Sequence, residues 1–123
     1  MRLRGAYAEQ YDQAGAMVRV DERRWLKTGV EYFDGRMRFS TVVTNDQSSW
    51  AVADLPAGIG ELGLLLSRRG DAVEVRYAVG SGEPELAGLA YLPPGEAFAG
   101  AMCAAPEGGG FQATFHDLTL TPR

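Results

Sequence analysis

The sequence predicts an all-β protein, one domain over residues 1–123 folded as a sandwich of two antiparallel sheets, and three observations carry that expectation. The first is punctuation. Glycine makes up 16 of 123 residues, roughly double the ~7% average, and turn signals at Asp34-Gly35, Gly70-Asp71, Gly80-Ser81-Gly82, Pro93-Pro94-Gly95 and Pro106-Glu107-Gly108 divide the chain into pieces too short for long helices. The second is Asp34-Gly35 itself, a two-residue hairpin loop that fixes the register on either side. Phe33 then faces Arg36, and Tyr32–Met37, Val30–Phe39, Thr28–Thr41 and Leu26–Val43 line up as one almost wholly apolar face. The third is the same arithmetic about Gly70-Asp71, which sets Leu66 against Val75, Leu64 against Tyr77 and Leu62 against Val79. Two hairpins with one apolar face each, and no helix to cover them, bury those faces sheet on sheet.

Taken in chain order, Met1-Arg2-Leu3-Arg4 reads as a strand stub with Leu3 inward. Tyr7–Gln13 is long and polar enough for a turn of helix. Gln13–Val20, Arg24–Phe33, Arg36–Asn45, Leu62–Arg68, Ala72–Val79, Leu86–Leu92, Ala97–Ala104 and Phe111–Leu120 are short, bounded by turn residues, and mostly carry β-branched, aromatic or alternating side chains, so each reads as a strand. Asn45–Ile59 reads as a loop, either clear of the neighbouring sheet face or folded over it. No 20–50-residue repeat appears.

Composition narrows the function. Hydrophobic residues at 46% and charged residues at 23% describe an ordinary folded domain. Twelve Lys+Arg against sixteen Asp+Glu leave a net charge of −4, so no global field draws in a phosphate backbone or an anionic membrane, and neither nucleic acid nor membrane is expected as a partner. The absence of an ~18-residue apolar span and of a signal-peptide core in Met1–Tyr7 sets a cytoplasmic expectation, with which the single Cys103 agrees.

Chemistry is discounted class by class. One histidine, His116, and one cysteine give no metal-ligand spacing, so no metal and no other cofactor is expected; a calcium site on Asp12, Asp46 or Glu107 has no ligand series to mark it. No catalytic residue is assigned. Ser48 and Ser49 lack a nucleophile elbow, and a serine triad would have to recruit His116 beside Asp117. Glycoside hydrolysis wants two carboxylates on one sheet face, roughly 5–9 Å apart. Here Glu31 stands alone on its strand, opposite Arg38, as an ordinary cross-strand ion pair.

A binding face remains. If Asp21-Glu22-Arg23 joins two neighbouring strands, Arg19 faces Trp25, Met17 faces Lys27, Gly15 faces Gly29 and Gln13 faces Glu31. The result is a trough floored by Gly15 and Gly29, flanked by Gln13, Met17, Lys27 and Glu31, with Trp25 at one end and Trp50 nearby. Glycines let a ligand approach the backbone, aromatic rings stack on sugars, and the polar groups bond hydroxyls. Alternatively, the two glycines relieve crowding beneath the Asn45–Ile59 loop, with Trp50 folded down as a lid.

Ordered segments through the whole chain carry a resemblance: Asp12-Gln13-Ala14-Gly15-Ala16-Met17-Val18-Arg19-Val20-Asp21, Trp25-Leu26-Lys27-Thr28-Gly29-Val30-Glu31-Tyr32, Val42-Val43-Thr44-Asn45 to Ser49-Trp50, Ser67-Arg68-Arg69-Gly70-Asp71, Ala90-Tyr91-Leu92-Pro93-Pro94 and Met102-Cys103-Ala104-Ala105-Pro106. They resemble the family called domain of unknown function 1349, or regulation-of-enolase type, within the concanavalin A-like lectin/glucanase superfamily. The resemblance implies a jelly-roll form of the sandwich and transfers no settled activity. Family members usually carry a further N-terminal portion, which implies a fold that starts N-terminally incomplete, with an exposed edge near Leu3 where a homodimer would form. Where members tend to have Asp-Gly-x-x-Trp after the fifth strand, this chain has Gly80-Ser81-Gly82-Glu83-Pro84. The leading expectation is a non-catalytic module with a lectin-like trough for carbohydrate. A structural or protein-interaction domain, and a glycosidase-type enzyme, stand as alternatives.

Overall fold

The computed structural model describes residues 1–121 and forms a jelly-roll sandwich of ten strands. In chain order these are β1 (Arg2–Gly5), β2 (Gln13–Asp21), β3 (Arg24–Phe33), β4 (Arg36–Asn45), β5 (Gln47–Asp54), β6 (Leu62–Arg69), β7 (Ala72–Val79), β8 (Glu85–Tyr91), β9 (Phe98–Ala104) and β10 (Ala113–His116). One sheet runs β10-β1-β6-β7-β8 and the other β5-β4-β3-β2-β9, with every pairing antiparallel.

The hairpin registers follow the turn chemistry. Asp34 and Gly35 sit at φ +51° and +75°, the two positive angles that a type I′ loop demands, and β3 pairs β4 from Phe33↔Arg36 to Arg24↔Asn45. Leu62↔Val79, Leu64↔Tyr77 and Leu66↔Val75 likewise pair across β6 and β7. The inward faces meet in one core: Leu3, Leu62, Leu64, Val73 and Val75 from one sheet, Ala14, Val18, Leu26, Val30 and Phe39 from the other. Phe39 stacks on Tyr77 across the gap at 4.5 Å between ring centroids. Each fully buried leucine contributes roughly 1.5–3 kcal/mol, so the facing leucines and valines account for why the sheets close.

Four local expectations change. Tyr7–Gln13 forms a tight turn in place of a helical one: the Asp12 carboxylate accepts the N–H groups of Ala8 and Glu9, Tyr11 adopts φ +68°, and Gln13 already opens β2. The expected loop over 45–59 contains β5, which pairs with β4 from Arg38↔Asp54 to Asn45↔Gln47 and extends the sheet instead of covering it. The strand expected over Phe111–Leu120 shrinks to the four residues of β10.

The fourth change removes a premise. β1 lies inside its sheet, between β10 and β6, with Leu3 fully buried and the terminal amine donating to the Leu64 carbonyl. There is no exposed N-terminal edge at Leu3, because β10 returns from the far end of the chain to pair with it over Arg2↔His116 to Gly5↔Ala113. Among the described residues, no helix is long and apolar enough to cross a membrane.

Candidate functional site

Side chains alternate along a strand, so the registers lay the outward face of the β5-β4-β3-β2-β9 sheet out in rows. One row reads Asp54–Arg38–Glu31–Gln13–Ala104, the next Val52–Ser40–Gly29–Gly15–Met102, then Trp50–Val42–Lys27–Met17–Gly100, and then Ser48–Thr44–Trp25–Arg19–Phe98. All eight residues expected at the trough therefore lie on this face. The pairing Gln13↔Glu31 through Arg19↔Trp25 holds, and the strand irregularity between Arg19 and Asp21 falls beyond it.

The two glycines are required by the backbone itself. β2 and β3 approach so closely that a Cβ on Gly15 would stand 1.9 Å from the Thr28 carbonyl oxygen, and one on Gly29 2.3 Å from that of Ala14. Gly29 is at φ +155°, a conformation that side chains disfavour. The expectation that the glycines relieve crowding is thus met by strand against strand, with no loop on top. Their lack of side chains still leaves a hollow of about 10 Å³ between Gln13, Lys27, Glu31, Ser40 and Met102, about the room that one water needs.

Burial on this face differs from simple alternation. Gln13 and Glu31 are only 5% and 7% exposed, where an outward strand face leads one to expect solvent; Met17, Trp25 and Lys27 are half-buried. The cover over Glu31 is Trp50. From β5 its ring leans along the sheet, its indole N–H donating to Glu31 Oε1 at 3.0 Å and reaching Ser40 Oγ at 3.2 Å. The Trp50 and Phe33 rings meet edge to face at 5.2 Å between centroids, and Tyr11 stacks on Phe33 at 5.8 Å. Trp50 remains 47% exposed, so one part of the ring fixes the carboxylate and the rest faces outward. Lys27 Nζ sits 5.8 Å from the Trp25 ring centroid.

The expected Glu31–Arg38 ion pair is not made. Arg38 turns toward the sheet edge and meets Asp54 at 2.9 Å, its guanidinium 5.6 Å from the Phe33 ring. Glu31 therefore has no cation within salt-bridge distance among the described residues, and its bonding capacity, up to about four acceptor positions, is served by one indole donor. It is a shielded carboxylate at the wall of a water-sized hollow.

Phe33, Arg38, Ser40 and Met102 are members that the expected trough left out. The Asp34-Gly35 register already sets Arg38 opposite Glu31 and Ser40 opposite Gly29. Met102 had no local signal, since its partner on β2, Gly15, lies 87 positions away along the chain.

Other candidate chemistry resolves elsewhere. His116 lies on the opposite sheet, with Nε2 2.8 Å from Glu61 and Nδ1 3.1 Å from Asp117, so it joins a charge cluster and has no serine partner. Asp46 faces Arg23 at 3.7 Å, and among the described residues no three His, Cys, Asp or Glu side chains converge as metal ligands. A wider open groove of about 410 Å³ runs past Arg4, Ile59, Gln112 and Thr114, but among the described residues Arg4 is its only charged side chain and no aromatic ring lines it.

Comparison with known proteins agrees with this architecture. Residues 1–123 match the family described as "Protein of unknown function (DUF1349)". Regulation of enolase protein 1 of Saccharomyces cerevisiae is 34% identical over 122 residues, covering 98% of this chain and 62% of the relative. An uncharacterized protein, AN7484, of Emericella nidulans is 29% identical over 56 residues, covering 42% of this chain and 28% of that protein. The chain thus spans less than two thirds of the length of the curated relatives it matches. Among solved structures, a functionally unknown protein from S. cerevisiae superposes with a TM-score of 0.92 at 34% identity, covering 98% of this chain and 65% of that one. The GH43 protein BlXynB from Bacillus licheniformis gives a TM-score of 0.75 at 13% identity, over 91% of this chain and 24% of that chain, a likeness of fold alone.

Proposed function

The chain belongs to the family described as protein of unknown function DUF1349, a family with a concanavalin-like sandwich, and from that premise we propose that the outward face of its β5-β4-β3-β2-β9 sheet is a non-catalytic binding surface for a neutral, polyhydroxylated ligand such as an oligosaccharide. The observation that carries the reading is Glu31: a 7%-exposed carboxylate without a cationic partner among the described residues, held by the Trp50 indole at the wall of a hollow. A carboxylate fixed in place by one neutral donor keeps acceptor positions free for the hydroxyl donors of a ligand. The outer part of the Trp50 ring and the half-buried Trp25 offer apolar faces on which a sugar ring can stack, while Gln13 and Lys27 supply further polar contacts.

Two-carboxylate hydrolysis gains less support, since the other acid in the Glu31 row, Asp54, is engaged by Arg36 at 3.5 Å and Arg38 at 2.9 Å. A second reading, a protein-docking domain, is favoured by one separate feature: Leu65, Leu86, Leu89 and Tyr91 stand 52%, 57%, 71% and 55% exposed on and beside the β8 edge of the other sheet, a grouping of apolar surface that a partner could cover. Tryptophan fluorescence titrated with a panel of neutral oligosaccharides separates them. A saturable change that Trp50→Phe diminishes supports the binding face; a flat response across the panel overturns it.

A further inference from the structure

We infer that β9 is the edge through which two copies of this chain pair, antiparallel about a two-fold axis at Ala101, so that their β5-β4-β3-β2-β9 sheets join into one ten-stranded sheet. An edge strand presents unbonded N–H and C=O groups to any other chain, and folded proteins ordinarily blunt it with charge, proline, a bulge, brevity or cover. Three of the four edges here are blunted. β10 is four residues long. β8 carries an extra residue at Ala87, since Val75 pairs with Gly88 and Arg76 with Leu86, and such a bulge disrupts an edge ladder. β5 has a polar first half, Gln47-Ser48-Ser49, and ends on Asp54 between Arg36 and Arg38. Among the described residues, β9 has none of these devices. Phe98-Ala99-Gly100-Ala101-Met102-Cys103-Ala104 contains no charge and no proline, runs in unbroken register along β2, and leaves Phe98, Ala99, Ala101 and Cys103 exposed.

The strand is also complementary to itself. Turned about Ala101, it sets Phe98 against Ala104, Met102 against Gly100 and Ala99 against Cys103, each large side chain opposite a small one. All seven residues take part and no like charges stand opposed. An arbitrary peptide could use the same backbone row, but this alternation matches the strand's own sequence. A seven-residue ladder is small beside the ~1,200–2,000 Å² of a standard interface, so the dimer is weak and concentration-dependent. It would continue the row Glu31–Gln13–Ala104 with Phe98 of the partner subunit, adding an aromatic ring to the candidate face. That last role rests on the proposed function; the dimer itself does not.

Sedimentation equilibrium of the ligand-free protein, from micromolar to millimolar, is expected to show a reversible monomer–dimer equilibrium. Ala101→Lys places two lysines opposite each other at the axis and is expected to leave a folded monomer by circular dichroism, while mixing it with Ala101→Glu restores a dimer. Should Ala101→Lys fail to fold, Ala99→Cys decides. The introduced thiol lies about 13 Å along the strand from Cys103 of the same chain, too far to bridge, but directly opposite Cys103 of the partner subunit, so mild oxidation is expected to give a covalent dimer. A monomer at all concentrations, a dimer indifferent to Ala101→Lys, open polymers, or no cross-link from Ala99→Cys each overturn the inference. With the dimer established, Phe98→Ser is expected to weaken oligosaccharide binding severalfold; if the unmodified dimer binds none, the proposed function fails and the β9 pairing stands.

Discussion

Glu31 and Glu61 are carboxylates attached to opposite sheets of the sandwich, and they are satisfied in opposite ways. Glu61, just before β6, pairs with Arg2, approaches Arg4 at 3.6 Å and meets His116 at 2.8 Å. It ties β1 and β10 to β6, and its bonds are internal. Glu31 has, among the described residues, one neutral donor, Trp50, and no cation. The contrast teaches that a charge count cannot tell a structural carboxylate from one left free to bind; the partners decide. The denser charge cluster is the one with little capacity left for a ligand.

The largest expected effect tests whether the Glu31 face is built on an unavoidable pinch. Gly15→Ala or Gly29→Ala is expected to cost about 3 kcal/mol or more, because backbone oxygens occupy the space of the new methyl group. Gly88→Ala, with nothing within 4 Å of its Cβ position, is expected to stay within about 0.5 kcal/mol of the parent. Urea unfolding measures both, and equal effects would dismiss the pinch. Next in size is Leu3→Ala, expected to cost about 2–5 kcal/mol as a cavity beneath an internal strand; a silent substitution would return β1 to the fringe of the fold.

Glu31→Gln keeps an oxygen for the Trp50 N–H, so a stability change below about 1 kcal/mol is expected. Oligosaccharide affinity is expected to fall about tenfold or more, since hydrogen bonds to a charged acceptor are worth ~1.5–3 kcal/mol. A large loss of stability with unchanged affinity would make Glu31 structural, like Glu61.

The smallest effect is the pH response of the Glu61 cluster. Hydrogen bonds first from Arg2 and then from His116 hold the Glu61 carboxyl at about 2, below its ordinary value near 4.5, so its contribution is present above the ordinary value and fades as pH falls toward 2. The hydrogen bond to Glu61, helped by the charges of Glu61 and Asp117, raises His116 above its ordinary 6.5. Its contribution is complete below that value and is lost as pH rises through the raised one. Thermal melts against pH are expected to flatten in both windows in Glu61→Gln, and the His116 titration followed by NMR is expected to move back down.

Much of this was legible in the chain. Asp34-Gly35 and Gly70-Asp71 set two hairpins, alternation told which faces are apolar, and those rules are local: a two-residue loop leaves one register, and a pleated strand leaves two faces. The Gln13–Glu31 to Arg19–Trp25 pairing was reached the same way, from a short loop. Where reading failed, the cause was distance for the pairing of β10 with β1 and of β9 with β2, and a weak local signal for β5. β5 follows β4 across the single residue Asp46, at φ +63°, but its opening Gln47-Ser48-Ser49 has loop character, and it becomes a strand because the long β4 edge offers it a ladder.

The sequence by itself determined the strands of the Asp34-Gly35 and Gly70-Asp71 hairpins, the apolar face of each, and which residues of β2, β3 and β4 share the outward face with Glu31. Only the tertiary structure decided that β10 closes over β1, that β9 lies beside β2, that Arg38 leaves Glu31 for Asp54, and that Trp50 comes down on the carboxylate it exposes. Neighbouring strands are paired by a turn of a few residues, whose closure entropy is small and whose geometry is fixed. Partners far apart in the chain, or two bonds away across a sheet, are chosen by packing and electrostatics among many candidates, and no local rule in the chain ranks them.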